Sequence, residues 1–115
     1  MEERVLMSVL LDYYSVLLTE KQQEIMNMYY DEDFSLGEIA ELSNTSRQAI
    51  HDAIKRCHKL LLEYEDKLKL KNKEDILNEN KNKILNKLQF VNSTISDTEI
   101  TAKIEEVKKD IIENL

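Results

Sequence analysis

The sequence predicts an all-α protein, a helix-turn-helix bundle followed by an amphipathic C-terminal helical tail. Its 115 residues include one Gly and no Pro, which disfavours strands joined by tight turns. Apolar residues recur every three or four positions, the period of helices with one buried face. Four Ser or Thr residues are each followed three positions later by Glu or Gln, the capping-box pattern that opens a helix. Together these three observations predict several helices joined by short connections.

The first two helices are predicted on either side of Thr19. The first runs from Glu2 to Leu17 and carries a wide apolar stripe, so we expect partners on more than one side of it. Thr19 with Gln22 forms a capping box for the second helix, which continues to about Asp31. The stripe of the first helix is Val5, Leu6, Val9, Leu10, Tyr13, Val16 and Leu17. The buried face of the second is Ile25, Met28 and Tyr29.

A helix-turn-helix is predicted over residues 35–62. Ser35 with Glu38 makes a second capping box and opens a short helix that ends near Leu42. Two such helices cross closely only where the first has a small residue, and Ala40 occupies that position. Its neighbours Ile39 and Leu42 are expected to face the core.

The turn and the second helix of the motif follow directly. Asn44 tolerates the left-handed backbone that the tight turn requires. Thr45 with Gln48 makes a third capping box, so a longer helix is expected from there to about Leu68. Its buried stripe is Ile50, Ala53, Ile54, Cys57, Leu60 and Leu61.

The C-terminal part, residues 67–115, is rich in Lys and Asn and carries a poor heptad repeat. Its apolar members are Leu70, Leu77, Ile84 and Val91, with Glu74 and Lys81 at intervening core positions. A helix that rests on a partner is therefore expected, with a break at Phe90–Thr94. Ser96 with Glu99 makes a fourth capping box before a last amphipathic helix. The stripe of that helix is Ile100, Ile104, Val107, Ile111 and Leu115.

Two parts of the chain are expected. Residues 1–66 form the helical domain with the helix-turn-helix, and residues 67–115 form a tail for packing or dimerisation. The apolar face of the last helix must pack against the same chain or against a second one. We expect a homodimer.

Composition and charge exclude several classes of protein. One Cys rules out an internal disulfide framework, and no apolar run is long enough to span a bilayer, so a cytoplasmic protein is expected. Residues 1–66 hold 6 Lys and Arg against 14 Asp and Glu, a formal charge of -8. Residues 67–115 hold 10 against 9, a charge of +1. The half with the helix-turn-helix is the acidic half, which weakens non-specific attraction to nucleic acid.

The remaining reactive side chains favour packing over chemistry. Cys57 lies on the apolar stripe and is expected to be a buried thiol. His51 and His58 stand without a carboxylate at metal-ligand spacing, so no metal or cofactor is expected. No phosphate loop, nucleophile elbow or triad is present, and we expect no enzyme. The pairs at 13–14 and 29–30 are Tyr residues that could stack on bases but follow the apolar periodicity of core residues.

Three segments resemble region 4 of bacterial sigma factors. Leu18–Ile25 is similar to the opening helix of that region, and Ser35–Ala40 with Ser46–Ile50 is similar to its helix-turn-helix. The resemblance implies the fold of a DNA-reading module.

The chain as a whole resembles a narrower family, the YlxM proteins of Firmicutes. The similar segments are Leu11–Tyr14, Ser46–Ala49 and Lys59–Glu65, within a match over residues 1–70. Genes of that family commonly neighbour the gene for Ffh, the protein subunit of the signal recognition particle. The resemblance therefore implies a regulatory role or a link to the signal recognition particle pathway, with Ffh or another component as partner.

If the motif reads DNA, the N-terminal part of its second helix enters the major groove. Arg47 could then pair with a guanine edge and Gln48 with an adenine edge, whereas Asp52 on the same face repels phosphate. The residues expected to contact nucleic acid are Ser46, Arg47, Gln48, His51, Lys55, Arg56 and Lys59. The alternative is an adaptor that does not bind DNA and whose acidic surface engages a protein or ribonucleoprotein.

Overall fold

The computed structural model describes residues 2–115, and the regular structure over that range is helical throughout. The all-α prediction is confirmed. The helices are α1 (Glu3–Tyr14), a 3₁₀ turn (Ser15–Leu17), α2 (Glu20–Tyr30), α3 (Leu36–Leu42), α4 (Arg47–Leu68), α5 (Leu70–Thr94) and α6 (Thr98–Asn114). The chain divides into two compact units. Unit 1 extends to Lys71, and unit 2 is Asn72–Leu115.

Unit 1 is organised around α4. Helices α1, α2 and α3 each pack on α4, and α2 also packs on α3. The stripe predicted for α4 forms the inner side of this arrangement, with Ile50, Ile54, Cys57 and Leu61 buried. Cys57 is a free, fully buried thiol, as predicted. The remaining buried core residues are Met7, Leu10, Leu11, Tyr14, Leu18, Ile25, Met26, Ile39 and Ala40.

The end of the first helix differs from the prediction. Helix α1 stops at Tyr14, and a 3₁₀ turn follows over Ser15–Leu17. The tighter turn has three residues per turn, so the side chains that follow rotate away from the α-helical stripe. Val16 is 80% exposed as a result, Leu17 is also exposed, and Leu18 enters the core.

Two of the four predicted capping boxes are present in full. Thr19 accepts from the Gln22 backbone N–H while the Gln22 side chain accepts from the Thr19 N–H, at 3.2 and 2.9 Å. Ser35 and Glu38 make the same reciprocal pair, both at 3.1 Å. These two boxes begin α2 and α3 as predicted.

The other two predicted boxes are wrong by one residue. Ser46, not Thr45, caps α4, and Gln48 bonds elsewhere. The backbone N–H of Thr45 donates to the Ala40 carbonyl at 3.0 Å and so belongs to the turn. Ser46 is the residue with the extended backbone of an N-cap.

The C-terminal helices show the same kind of shift. Asp97 caps α6 by accepting from two backbone N–H groups, so Ser96 is not the cap. The break predicted at Phe90–Thr94 is also wrong, because α5 continues to Thr94. The polar side chains of this stretch bond without interrupting the helix, since Ser93 and Thr94 donate to the Phe90 and Val91 carbonyls and Asn92 donates to Glu105.

Tyr14 joins three helix ends within unit 1. Its hydroxyl donates to Glu65 Oε1 at 2.6 Å and accepts from the Leu70 backbone N–H at 3.0 Å. The same Glu65 oxygen accepts from the Lys71 N–H at 3.1 Å. Between these helices, Lys69 takes a left-handed conformation with φ 56°. The buried Tyr14 hydroxyl and the half-buried Glu65 carboxylate thus satisfy the first backbone donors of α5, which have no intrahelical partner.

Candidate nucleic-acid interface

Helices α3 and α4 form the helix-turn-helix. The turn places Asn44 at φ 53°, the left-handed conformation expected from its residue type. Ala40 and Ile39 are buried where α3 packs on α4, as predicted. Leu42 was expected to face the core, but it is 66% exposed, because α3 ends there and its last side chain lies beyond the crossing.

The predicted site residues all lie at the surface, at the N-cap or on the outer side of α4. The inner side carries the buried stripe, and 3.6 residues per turn place the intervening positions outward. These exposed residues are Ser46, Arg47, Gln48, His51, Lys55, Arg56 and Lys59. The Ser46 hydroxyl oxygen accepts from the Ala49 N–H at 3.1 Å, so it caps the helix as well as standing at its exposed end.

Two shallow depressions of about 450 Å³ each divide this surface. Leu36 of α3 lines the first together with Arg47, Gln48 and His51. The second is lined by Asp52, Lys55, Arg56 and Lys59. The structure thus brings six of the seven predicted residues together in two adjacent groups, one at the start of α4 and one about two turns further on.

Asp52 lies between the two groups and organises the first. The Gln48 Nε2 donates to Asp52 Oδ1 at 3.0 Å, and His51 Nδ1 lies 3.6 Å from the same oxygen. Asp52 therefore holds the Gln48 amide in one orientation. It also lowers the net positive charge of this face, on which Arg47, Lys55, Arg56 and Lys59 are the cations.

Four of the predicted residues on this face are cations. In the described part of the chain, Arg47, Lys55, Arg56 and Lys59 form no ion pair. Two acidic residues upstream of α4 are engaged in local structure. Asp33 pairs with Arg4 at 3.0 Å, and hydrogen bonds from Ser35 lower the pKa of Glu38.

Comparison with known proteins identifies the family of this fold. A family model described as "Putative helix-turn-helix protein, YlxM / p13 like" matches residues 1–111. The chain belongs to the UPF0122 family. Among UPF0122 relatives, one from Clostridium acetobutylicum is 54% identical over 115 residues and covers 96% of each chain. One from Clostridium kluyveri is 47% identical with full coverage of both. A third, from Clostridium botulinum, is 67% identical over 70 residues, 61% of this chain and 64% of the relative.

The resemblance to YlxM proteins is therefore confirmed for this UPF0122 member. None of the helices in residues 2–115 combines the length and apolar character that a membrane span requires. Within the same range, no cluster of His, Cys, Asp and Glu has the arrangement of a metal site.

A second polar cluster in this UPF0122 protein was not predicted from the sequence. The Arg4 guanidinium donates to the Tyr29 carbonyl at 2.8 Å and lies 5.0 Å from the centroids of both the Tyr29 and Tyr30 rings. Tyr30 Oη is hydrogen-bonded to His58 Nε2. Burial raises the pKa of Tyr30 to about 12, and burial lowers the pKa of His58 against the opposing effect of Glu3.

Both tyrosine pairs lie in or against the core of unit 1. Tyr14 is buried, and Tyr13, Tyr29 and Tyr30 are half-buried against the core, so their prediction as packing residues is confirmed. No sequence signal could have joined Arg4 to Tyr30 and His58, because the three residues lie on different helices at unrelated spacings.

Proposed function

We propose that this protein is a regulatory DNA-binding protein that contacts the duplex through the outer face of α4. The observation that carries the proposal is a set of four exposed cations on the outer side of that helix that form no ion pair with any residue from 2 to 115. They are Arg47, Lys55, Arg56 and Lys59. Phosphate contacts by Lys and Arg supply most of the affinity of such proteins for DNA.

The positions of the two groups along α4 support a different proposed role for each. Arg47 and Gln48 occupy the first two positions of α4, the part of a recognition helix that reaches base edges. Arg47 suits a guanine edge. Gln48 suits an adenine edge, with its amide held by Asp52.

The second group suits the phosphate backbone. Lys55, Arg56 and Lys59 lie about two to three turns further along α4 and meet phosphates flanking the groove. The backbone N–H groups that follow Ser46 add donors for a phosphate oxygen at the helix N-terminus.

The net charge of residues 1–66 limits the expected strength of DNA binding. Residues 1–66 carry a formal charge of -8, so long-range repulsion opposes the local attraction of α4. Affinity is therefore expected at low salt and for a cognate sequence, with a steep loss as salt rises.

Fluorescence anisotropy with a labelled random-sequence duplex, followed by selection of preferred sequences, tests the proposal. The variant Lys55→Ala is expected to reduce the slope of log affinity against log salt by about one, the value for one lost phosphate contact. Arg47→Ala is expected to relax sequence preference. The matched control is Lys21→Ala, which removes an exposed cation from α2. No binding at low salt, or an equal loss in the Lys21 variant, would refute the proposal.

A second candidate is an adaptor role in the signal recognition particle pathway, and the acidic charge of unit 1 favours it. In that case the helix-turn-helix is a scaffold, and its carboxylates engage a basic partner such as Ffh. Calorimetry with purified, RNA-free Ffh tests this directly. Salt-sensitive heat of binding that survives Arg47→Ala and Lys55→Ala supports the adaptor, and the absence of heat at low salt rejects it.

A further inference from the structure

Unit 2 buries none of its side chains. Helix α6 and the part of α5 beyond residue 71 contain only exposed and half-buried positions. Large apolar residues remain exposed on both helices, namely Ile76, Leu77, Ile84, Phe90, Val91, Ile100, Val107, Ile112 and Leu115. Two helices without a core do not hold together well in water, because helix stability in proteins comes mainly from packing of an apolar face.

The two helices of unit 2 run antiparallel along one seam. Asn92 donates to Glu105 at 2.8 Å, Lys108 donates to Gln89, and the Lys81 ammonium donates to the Leu115 carbonyl at 2.9 Å. Later residues of α5 thus meet earlier residues of α6. The half-buried positions along this seam are Lys81, Leu85, Leu88 and Asn92 of α5 and Thr101, Ile104, Lys108 and Ile111 of α6.

The exposed apolar residues beside this seam form one continuous face. Ile84 precedes Leu88 of the seam by four residues, and Ile100 likewise precedes Ile104. Each step of four rotates a side chain by about 40° in the same sense around its own helix. Because the helices are antiparallel, equal rotations move both rows to the same side of the pair. We call this side the hairpin face, and it consists of Leu77, Ile84, Val91, Ile100 and Val107.

The spacing on the hairpin face is that of a helix–helix seam. Leu77, Ile84 and Val91 are seven residues apart, as are Ile100 and Val107. Seven is the repeat of residues that face a partner helix in a coiled coil or bundle. A depression of about 320 Å³ lined by Ile100, Ile104 and Val107 opens on α6.

We infer that the hairpin face binds the same face of a second copy, so that two copies of unit 2 form an antiparallel four-helix bundle. The shared length of α5 and α6 is roughly 25 Å at about 1.5 Å per residue, and two helices side by side are roughly 20 Å wide. The contact is then about 500 Å² on each copy, close to the roughly 1,000 Å² total that a specific interface needs. This inference does not depend on DNA binding.

Charge favours a second copy over another partner and selects the arrangement. Residues 80–94 of α5 contain three Lys and no acid, whereas α6 contains five acids and three Lys. Like helices therefore repel and unlike helices attract, which places α5 of one copy over α6 of the other. A two-fold axis parallel to the helices produces this arrangement and makes every neighbouring pair antiparallel.

An ion pair across the interface, formed twice by the two-fold axis, follows from the register. Gln89 and Lys108 are bonded, so Lys87 and Asp110, each two residues away in opposite directions, lie at the same level of the pair. Both are exposed, and neither forms an ion pair in the described residues. The two-fold axis leaves that level unchanged, so Lys87 of one copy meets Asp110 of the other.

Sedimentation velocity of the full chain over a range of concentrations tests the interface. The wild-type chain is expected to dimerise, and Ile84→Asp or Val107→Asp is expected to weaken the dimer more than about 100-fold, as loss of a central apolar contact does. The matched controls are Phe90→Asp and Ile112→Asp, which place the same charge at apolar residues that are 71% and 61% exposed and lie off the hairpin face. Circular dichroism checks that each variant keeps its helical content.

A charge swap tests the partner and the arrangement together. Lys87→Glu and Asp110→Lys each create two like-charge contacts per dimer, and each alone is expected to dimerise roughly tenfold more weakly. Mixing the two variants restores opposite charges at both contacts, so a heterodimer of near wild-type affinity is expected. A wild-type monomer at high concentration, equal losses in the Phe90 and Val107 variants, or no recovery on mixing would each overturn the inference.

Discussion

Removal of one hydroxyl, in Tyr14→Phe, tests how unit 1 holds the start of α5. The hydroxyl gives one hydrogen bond to the Glu65 carboxylate and receives one from the Leu70 N–H, at 2.6 and 3.0 Å. A bond to a charged group contributes about 1.5–3 kcal/mol and a neutral one about 0.5–1.5 kcal/mol. Because Glu65 keeps its bond from Lys71, the lower ends of these ranges apply. The expected loss is about 2–3 kcal/mol.

Thermal and urea unfolding followed by circular dichroism measure this loss. For a unit of this size, the expected fall in Tm is about 10–20 °C. The matched control is Tyr64→Phe, which removes an exposed hydroxyl that donates to the Leu17 carbonyl at 3.4 Å, a marginal distance. The control is expected to lose less than about 0.5 kcal/mol. Equal losses in the two variants would show that the Tyr14 hydroxyl bonds do not stabilise this junction.

Three further predictions concern unit 1. Ser46→Ala is expected to lower the free energy of unfolding, measured by urea titration, by about 1 kcal/mol, because Ser46 caps α4. Thr45→Ala is expected to cost little, and a larger loss at Thr45 than at Ser46 would contradict the observed cap. Burial raises the pKa of Tyr30 from its usual 10 to about 12, so the stability that this protonated phenol contributes is complete below pH 10 and is lost as pH rises through 12. Absorbance titration of tyrosinate in the native and the unfolded protein measures this shift. The native protein is expected to show one late-titrating Tyr that the Tyr30→Phe variant lacks. Cys57 is expected to react with a thiol reagent only on unfolding, because burial raises the pKa of its thiol; fast labelling of the native protein would place the thiol at the surface.

Local sequence patterns predicted much of unit 1. Ser35 with Glu38, the small Ala40 and the left-handed Asn44 are short-range requirements of a helix-turn-helix, and each is met in the structure. The buried stripe of α4 follows from apolar periodicity alone, because a residue that departs from the pattern at one position has little weight over a helix of 22 residues. The same periodicity placed the predicted DNA-contacting residues on the opposite, exposed side.

The two capping errors arose where either of two neighbouring residues could cap the helix. Thr45 and Ser46 are both good caps, and Ser46 takes the role because the backbone N–H of Thr45 donates to the Ala40 carbonyl within the turn. Ser96 and Asp97 present the same ambiguity at α6. Leu42 shows the related limit, because periodicity cannot tell that a helix ends before its last apolar residue reaches the core.

The sequence alone determined that the chain is helical, that residues 35–62 form a helix-turn-helix, and which side of α4 is exposed. These properties depend on residues within about two turns of one another, whose preferences are visible in any short window. The tertiary structure decided the contacts between distant residues. Arg4 meets Tyr29 across 25 positions, and Tyr14 meets Leu70 across 56. Such pairs depend on how whole helices pack, and the helical period of each segment does not encode that packing.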